Sequence, residues 1–306
     1  MNRLWGYLSA IGATLFFGIS ATLNKIMLQE MHPIAIAALT YTIAGVFLFT
    51  LRQSPLKEKV LNVLNSENES ENYINRKDYI ILIITALFSS VIAPILFLTG
   101  LNQTTAVNAS LLINVEVLFI IILSLIIFKE FLQKKDVLGM ILIITGAVYL
   151  ATKGEIADIL FKESFIGSLL IIMASLFWSL DIVLSKFLSN KRDLIWVAGI
   201  KSFIGGIILL LMTQVLSISL ETSFNMLPYL LFVSFFSVGS AFILIYFAIR
   251  EIGSTRVGAI FPVSSLFGAI FAFIILGEPL TIMELSFGLL MLLGIFILYW
   301  KPKSSN

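Results

Sequence analysis

The sequence predicts an all-α integral membrane protein in which ten transmembrane helices form two inverted five-helix repeats. Three observations lead to this fold class: the composition is strongly apolar, ten segments are long enough to cross a bilayer, and the two halves of the chain resemble each other. Of the 306 residues, 59% are hydrophobic and only 12% are charged, against about 25% charged residues in soluble domains. A water-soluble fold of this length could not bury so much apolar surface.

The composition also excludes several kinds of chemistry. A net charge of +2 gives no reason to expect nucleic acid as a partner, and the absence of cysteine excludes disulfides and thiolate metal sites. No phosphate-binding glycine loop and no metalloprotease motif occurs. The single histidine, His32, precedes Pro33 between two apolar segments, and we interpret it as structural. We therefore expect no enzyme activity, no cofactor and no metal.

Ten apolar segments predict the membrane spans, because about 20 apolar residues cross a bilayer as a helix. The first apolar stretch is longer than the core of a signal peptide, which has about 7–15 residues, so we expect it to be retained. The connection at 53–78 is polar, and within it residues 56–65 predict a short helix on the membrane surface. The predicted spans are 5–28, 33–52, 79–100, 105–128, 136–152, 165–188, 194–216, 227–249, 254–276 and 282–300.

The basic residues predict the orientation. With the N-terminus inside, 15 of the 20 lysines and arginines fall on the inner side of the membrane. Cytoplasmic loops carry such an excess of basic residues. We therefore expect a multi-pass protein of the plasma (inner) membrane with both termini in the cytoplasm.

An internal repeat relates the two halves of the chain, residues 1–152 and 165–301. A shift of 161 residues places Gly6 on Gly167 and Lys25 on Lys186, and it aligns eight identical residues among twenty. Each half contains five spans. Because five is odd, the second half enters the membrane upside down relative to the first. Inverted repeats of this kind are typical of secondary transporters, which bind their substrate near the midplane where the repeats meet.

Several short motifs resemble those of EamA-type transporters in the drug/metabolite transporter superfamily. They are "FFGISATLNK" (16–25), "FWSLDIVLSK" (177–186), "NASLLINVEVLF" (108–119) followed by "FKEFL" (128–132), and "LGEPL" (276–280). The resemblance implies a transporter of small organic metabolites, often an exporter of amino acids or related amphipathic compounds. Val117 stands where the family often has proline, so we expect a less kinked fourth helix. A non-transporting membrane scaffold or assembly factor is the alternative.

Asp181 and Lys201 form a candidate ion pair. Each lies seven residues from the inner end of its span, which places both about 10 Å from the inner edge of the bilayer. Antiparallel neighbours joined by a short connection bring such residues together. The pair could belong to a substrate or proton pathway, or it could be purely structural.

Other polar groups within the spans are further candidates. An aromatic wall with a few hydrogen-bonding groups suits a small organic solute, although packing or interhelical hydrogen bonding would explain each residue equally well. Lys25 and Lys186 lie at equivalent helix ends, where the helix dipole favours a cation, and gating against a facing carboxylate is the alternative. The remaining candidates for the pathway are Asn24, Ser90, Asn108, Trp178 and Tyr246.

Glu116 lies in the middle of the apolar run "LLINVEVLFIIIL" (111–123), with about 18 Å of helix between it and the inner edge. Its side chain is too short to reach water over that distance. Burial favours the protonated carboxyl, so Glu116 could carry a coupling proton, or it could stay protonated and bonded to a neighbouring helix. Thr105, Ala109 and Leu112 share its face, which we expect to line a cavity. The expected partners are a small-molecule substrate, the lipid bilayer and this proton, and the protein could be a monomer or a homodimer.

Overall fold

The computed structural model describes residues 3–55, 76–129, 131, 133–154, 163–189 and 194–300, and this part of the chain is helical without strands. The surface helix expected at 56–65 lies outside the described residues. Ten helices in this part are long and apolar enough to span a membrane, which confirms the predicted fold class. They are α1 (Arg3–Met27), α2 (Pro33–Gln53), α3 (Asp78–Gln103), α4 (Ala106–Phe128), α5 (Lys134–Thr152), α6 (Glu163–Ser185), α7 (Ile195–Val215), α8 (Leu227–Ile249), α9 (Arg256–Leu276) and α10 (Ile282–Tyr299).

Local sequence signals determine where the helices begin. His32 caps α2, because its Nδ1 atom accepts a hydrogen bond of 3.2 Å from the backbone amide of Ile34, while Pro33 occupies the first turn. Thr281 and Glu284 form a reciprocal capping box at the start of α10. His32 thus has a helix-capping contact, as expected of a structural residue.

The helix contacts follow an inverted two-fold pattern. The main contacts are α2 with α7, α5 with α10, α3 with α6, α1 with α8, α4 with α6, α1 with α9, and α4 with α9. Exchanging α1–α5 for α6–α10 converts the α3–α6 contact into the α8–α1 contact and the α4–α6 contact into the α9–α1 contact. The other three contacts map onto themselves, so the two halves pack as equivalent units.

A pair of glycines allows α2 and α7 to pack closely against each other. A methyl group on Gly45 would lie 2.8 Å from the backbone nitrogen of Phe203, and one on Gly206 would lie 2.6 Å from that of Thr42. Thr42 and Gly45 are 161 residues before Phe203 and Gly206, so the two contacts are symmetry mates. Small residues allow the backbones of membrane helices to approach in this way.

Irregular turns occur at equivalent places in the two halves. The helix of α4 is interrupted between Leu112 and Val115, and α9 contains a 3₁₀ turn at Phe261–Val263. Both α3 and α8 contain a π-helical stretch, at Phe88–Ile92 and Val233–Ser240. In this part of the chain a shift of about 150 residues relates the two halves, as it places Thr105 on Thr255, and under it the irregular turns overlap. The interruption of α4 arises at Ile113 and Asn114, whose backbone angles stay right-handed helical, and it needs no proline. The expectation of a less kinked fourth helix stays a prediction.

Candidate functional site

A cavity of about 80 Å³ lies inside the bundle where the two halves meet. Seven helices line it: α1, α2, α3 and α4 from the first half, and α6, α8 and α9 from the second. We call the end of the bundle at which α1 begins the terminal end, and the opposite end the distal end. The lining residues come from the middle of the helices and from their distal halves. The cavity therefore lies inside the helical bundle, surrounded by both repeats.

Two hydroxyl groups in the cavity wall have no partner. Thr40 of α2 and Ser110 of α4 are only 4% and 5% exposed, yet neither side-chain oxygen forms a hydrogen bond within the described part of the chain. A buried polar group without a partner costs about 1–3 kcal/mol. Each oxygen has less than 1 Å² of accessible surface, and that of Ser110 lies against Gly268 of α9, so both hydroxyls point into helix contacts and not into the open part of the cavity.

The aromatic wall of the cavity includes Tyr41 and Trp178. Its position depends on a backbone carbonyl of α3 that accepts no hydrogen bond within the helix. The amide of Ala93 donates to Phe88 because of the π-helical stretch, and Pro94 has no amide hydrogen to offer. The carbonyl of Ser89 instead accepts hydrogen bonds of 3.2 Å each from the Tyr41 hydroxyl and the Trp178 indole. These bonds fix both rings at the edge of the cavity.

Phe97 extends this aromatic wall, with its ring centroid 5.4 Å from that of Trp178. The sequence analysis identified Trp178 but missed Tyr41, Thr40 and Ser110. Pro94 within a predicted span was the available signal for Tyr41, because a proline in a helix leaves a carbonyl in need of a donor.

The structure brings Asp181 and Lys201 into contact, as expected from the sequence. The Lys201 ammonium donates to the Asp181 carboxylate, and each residue is 7% exposed. The Ser185 hydroxyl joins them, 3.0 Å from the Asp181 oxygen and 3.2 Å from the Lys201 nitrogen. The pair is not part of the cavity lining. Tyr41, which does line the cavity, is within electrostatic range of Asp181.

Glu116 lies beside this polar region but not in the cavity wall. Its backbone carbonyl accepts a hydrogen bond of 2.9 Å from Ser179, while its carboxyl has no hydrogen-bond partner among the described residues. Asp181 of α6 and Tyr299 of α10 are its titratable neighbours. Ser110 and Ile113 form the cavity face of α4. The expected cavity face through Thr105, Ala109 and Leu112 is therefore wrong, because these residues contribute nothing to the lining and the interruption at residues 113–114 separates them from Glu116.

The other predicted pathway residues are dispersed. Asn24 lines the cavity. Asn108 instead donates to Thr104 and Ser168, at 3.1 and 3.0 Å, and Ser90 packs against Gly205 of α7. The side chains of Tyr246 and Lys186 lie outside the described part of the structure.

Lys25, which belongs to α1, caps the distal end of α3 and not that of its own helix. Its Nζ atom donates to the carbonyl oxygens of Leu101 and Thr104 at 2.7 Å each, where α3 ends. Nearby, a carboxylate oxygen of Glu278 accepts a hydrogen bond of 2.9 Å from Val107, where α4 begins. These two side chains hold the distal ends of α1, α3, α4 and the α9–α10 turn together.

Comparisons with known proteins agree with this architecture. The chain matches the EamA-like transporter family over residues 4–152 and 165–300. It is 62% identical to an uncharacterized transporter of Methanothermobacter thermautotrophicus, covering 99% of this chain and 88% of the relative. It is 24% identical to the uncharacterized transporter YyaM of Bacillus subtilis, covering 96% and 93%.

A solved crystal structure of a protein superposes on 97% of each chain, with a TM-score of 0.65 and 17% sequence identity, and supports the fold alone. The family match covers both halves of the chain, including the helices that surround the cavity. The chain therefore belongs to the EamA-like transporter family.

Proposed function

We propose that the protein is a secondary transporter that carries small organic metabolites across the cell membrane by alternating access through the central cavity. The observation that carries this proposal is the cavity itself, which lies between two inverted repeats and is lined by both. Family membership supports transport in general. The rings of Tyr41, Phe97 and Trp178 in the cavity lining support a site for an organic solute.

Alternating access follows from the inverted packing. Because the α3–α6 and α1–α8 contacts are equivalent, as are the α4–α6 and α1–α9 contacts, rocking one half against the other exchanges each contact for its mate. The two resulting states are similar in energy. Lys25 and Glu278, which join the distal ends of α1, α3 and α4, are the proposed gate at that end.

The proposal also covers the energy source of transport and the orientation of the protein in the membrane. The sequence has no nucleotide-binding loop, so we propose that an ion gradient or exchange drives uphill transport. Glu116 is the proposed proton carrier, since Lys201 pairs with Asp181 and no basic side chain neutralises Glu116 within the described residues. The basic residues support cytoplasmic termini in the plasma membrane, and the resemblance noted above supports export.

The scaffold alternative is less consistent with the cavity. A scaffold has no use for a void between the repeats, because the side chains around a void lose packing contacts. In a transporter, a bound solute would make those contacts. The observed cavity therefore favours transport over a purely structural role.

A metabolite screen tests the proposal. Cells with and without the protein would be compared for metabolites in the medium and in the cytoplasm. Ala21→Leu, which places a larger side chain in the cavity wall, is the control and must reach the membrane at the wild-type level. We expect at least one small organic compound to leave faster with the wild type than with Ala21→Leu. Equal flux of every compound in all three strains would contradict transport.

A further inference from the structure

The two repeats contribute unequally to the cavity wall. The 161-residue shift pairs Gly45 with Gly206 in the contacts of α2 and α7. It also pairs Phe17 with Trp178, and both of these rings line the cavity. From this pair toward the distal end, α1 and α2 of the first half continue the wall, through Ser20, Ala21, Asn24, Ala37, Thr40 and Tyr41.

The counterparts of this distal wall lie on α6 and α7, in the terminal half of the bundle. The shift pairs Ser20 with Asp181, Asn24 with Ser185, Thr40 with Lys201, and Tyr41 with Ser202. None of these four counterparts lines the cavity. Three of them form the ion pair and the hydroxyl group that bridges it. The ion pair thus occupies the place in the second repeat that the distal wall occupies in the first.

Alternating access would exchange these two places. Inverted repeats give a transporter two similar states, and each half takes in one state the arrangement that the other half has in the opposite state. The first half provides the distal wall in the described state. In the opposite state α6 and α7 would provide the wall of a cavity that faces the terminal end, and Asp181 would take the surroundings that Ser20 has now.

We propose that Asp181, Ser185 and Lys201 line the transport path when the cavity faces the terminal end. This proposal rests on the proposed function, since it takes alternating access between the repeats as given. The pair is buried in the described state and meets water in the opposite one. The two walls differ in charge, because the distal wall carries hydroxyl and amide groups where the terminal wall carries a carboxylate and an ammonium.

Ser202 allows a test that leaves the ion pair intact. It is next to Lys201, only 6% exposed, and seven residues from the terminal end of its span. Thr85→Cys is the matched control for Ser202→Cys. Thr85 is also a buried hydroxyl residue seven residues from the terminal end of its span, but its counterpart under the 150-residue shift, Phe235, does not line the cavity.

Thiol labelling measures whether the position opens, and the chain has no cysteine of its own to interfere. A small impermeant thiol reagent would be added to sealed vesicles, first on the side that bears the N-terminus and, in a separate sample, on the other side. We expect Ser202→Cys to react from the terminal side severalfold faster than Thr85→Cys. It should not react from the distal side.

A second variant tests the position of the pair itself. Asp181→Asn combined with Lys201→Cys removes both charges, so no buried ion is left without its partner. The thiol at position 201 should also react from the terminal side and not from the distal side. The result for Ser202→Cys stands even where this double variant does not fold.

Two results would overturn the proposal: Ser202→Cys reacts no faster than Thr85→Cys, or it reacts only from the distal side. The transport function fails separately. If no metabolite moves in the screen described above while Ser202→Cys reacts from the terminal side, the terminal wall stands and the transport proposal is wrong. If a metabolite moves while Ser202→Cys stays unreactive, transport stands and the assigned path is wrong.

Discussion

The Asn114 side-chain amide donates to the Ser265 hydroxyl across 2.8 Å and so joins the interruption of α4 to the irregular region of α9. Both residues are buried, and Ser265 also donates to the carbonyl of Pro262. The bond crosses from one repeat to the other beside the cavity, which Ser265 lines. It fixes the two irregular helices relative to each other at the level of the cavity.

Breaking this bond should weaken the contact between α4 and α9. Ser265→Ala should destabilise the protein by about 1–3 kcal/mol, because it leaves the buried Asn114 amide without its acceptor. Asn114→Leu should cost less, because Ser265 keeps its hydrogen bond to Pro262. The double variant should lose less than the sum of the two, since neither group is then orphaned. Thermal unfolding in detergent measures all three variants, and strictly additive losses would contradict a direct bond.

The ion pair between Asp181 and Lys201 gives a second double-variant cycle. Asp181→Asn alone should cost about 3–5 kcal/mol, because it leaves the buried Lys201 ammonium without its counter-ion. Asp181→Asn with Lys201→Met should be less damaging, as it removes both charges. The folded yield in membranes and the unfolding temperature report the difference. A double variant at least as impaired as Asp181→Asn would show that the pair does not behave as a buried unit.

The fold and the ion pair could be predicted from the sequence, because both depend on periodic features. Apolar length determines the spans, the 161-residue shift pairs Gly45 with Gly206, and equal depth places Asp181 beside Lys201. The cavity could not be predicted in this way, because it depends on local irregularities of the helices. A prediction of membrane spans does not include such irregularities. Tyr41 is positioned by a carbonyl that a π-helical stretch and Pro94 release together, and the interruption of α4 includes Ile113, which lines the cavity.

The capping contact of Lys25 should control access from the distal end. Lys25→Met removes the hydrogen bonds to Leu101 and Thr104, so the distal ends of α1 and α3 should separate more often. A single cysteine at Ser20, which lines the cavity, should then react severalfold faster with an impermeant thiol reagent added on the distal side.

Lys153→Met is the matched control for Lys25→Met, because Lys153 is a half-exposed lysine that lies 3.7 Å from Glu284. It should leave the labelling rate unchanged. Equal acceleration by both variants would indicate a general loosening instead of a gate at Lys25.

The absence of cysteine makes the topology directly measurable. Gln53 and Ser223 are exposed residues near opposite ends of the bundle. With cytoplasmic termini, Gln53→Cys should react with an impermeant thiol reagent only from inside the cell, and Ser223→Cys only from outside. Reaction of both from the same side would contradict the alternation of the spans, and a reversed pattern would contradict the orientation alone.

Glu116 provides the test of proton coupling. Glu116→Gln should fold normally, because glutamine resembles the protonated carboxyl and the Ser179 contact uses only the backbone carbonyl. Glutamine cannot release a proton, so substrate flux in proteoliposomes should fall or lose its dependence on pH. Glu30→Gln, at an exposed position near the distal end, is the control and should keep the wild-type profile. If Glu116→Gln transports at the wild-type rate with the wild-type pH profile, the carboxyl is structural and the coupling ion binds elsewhere.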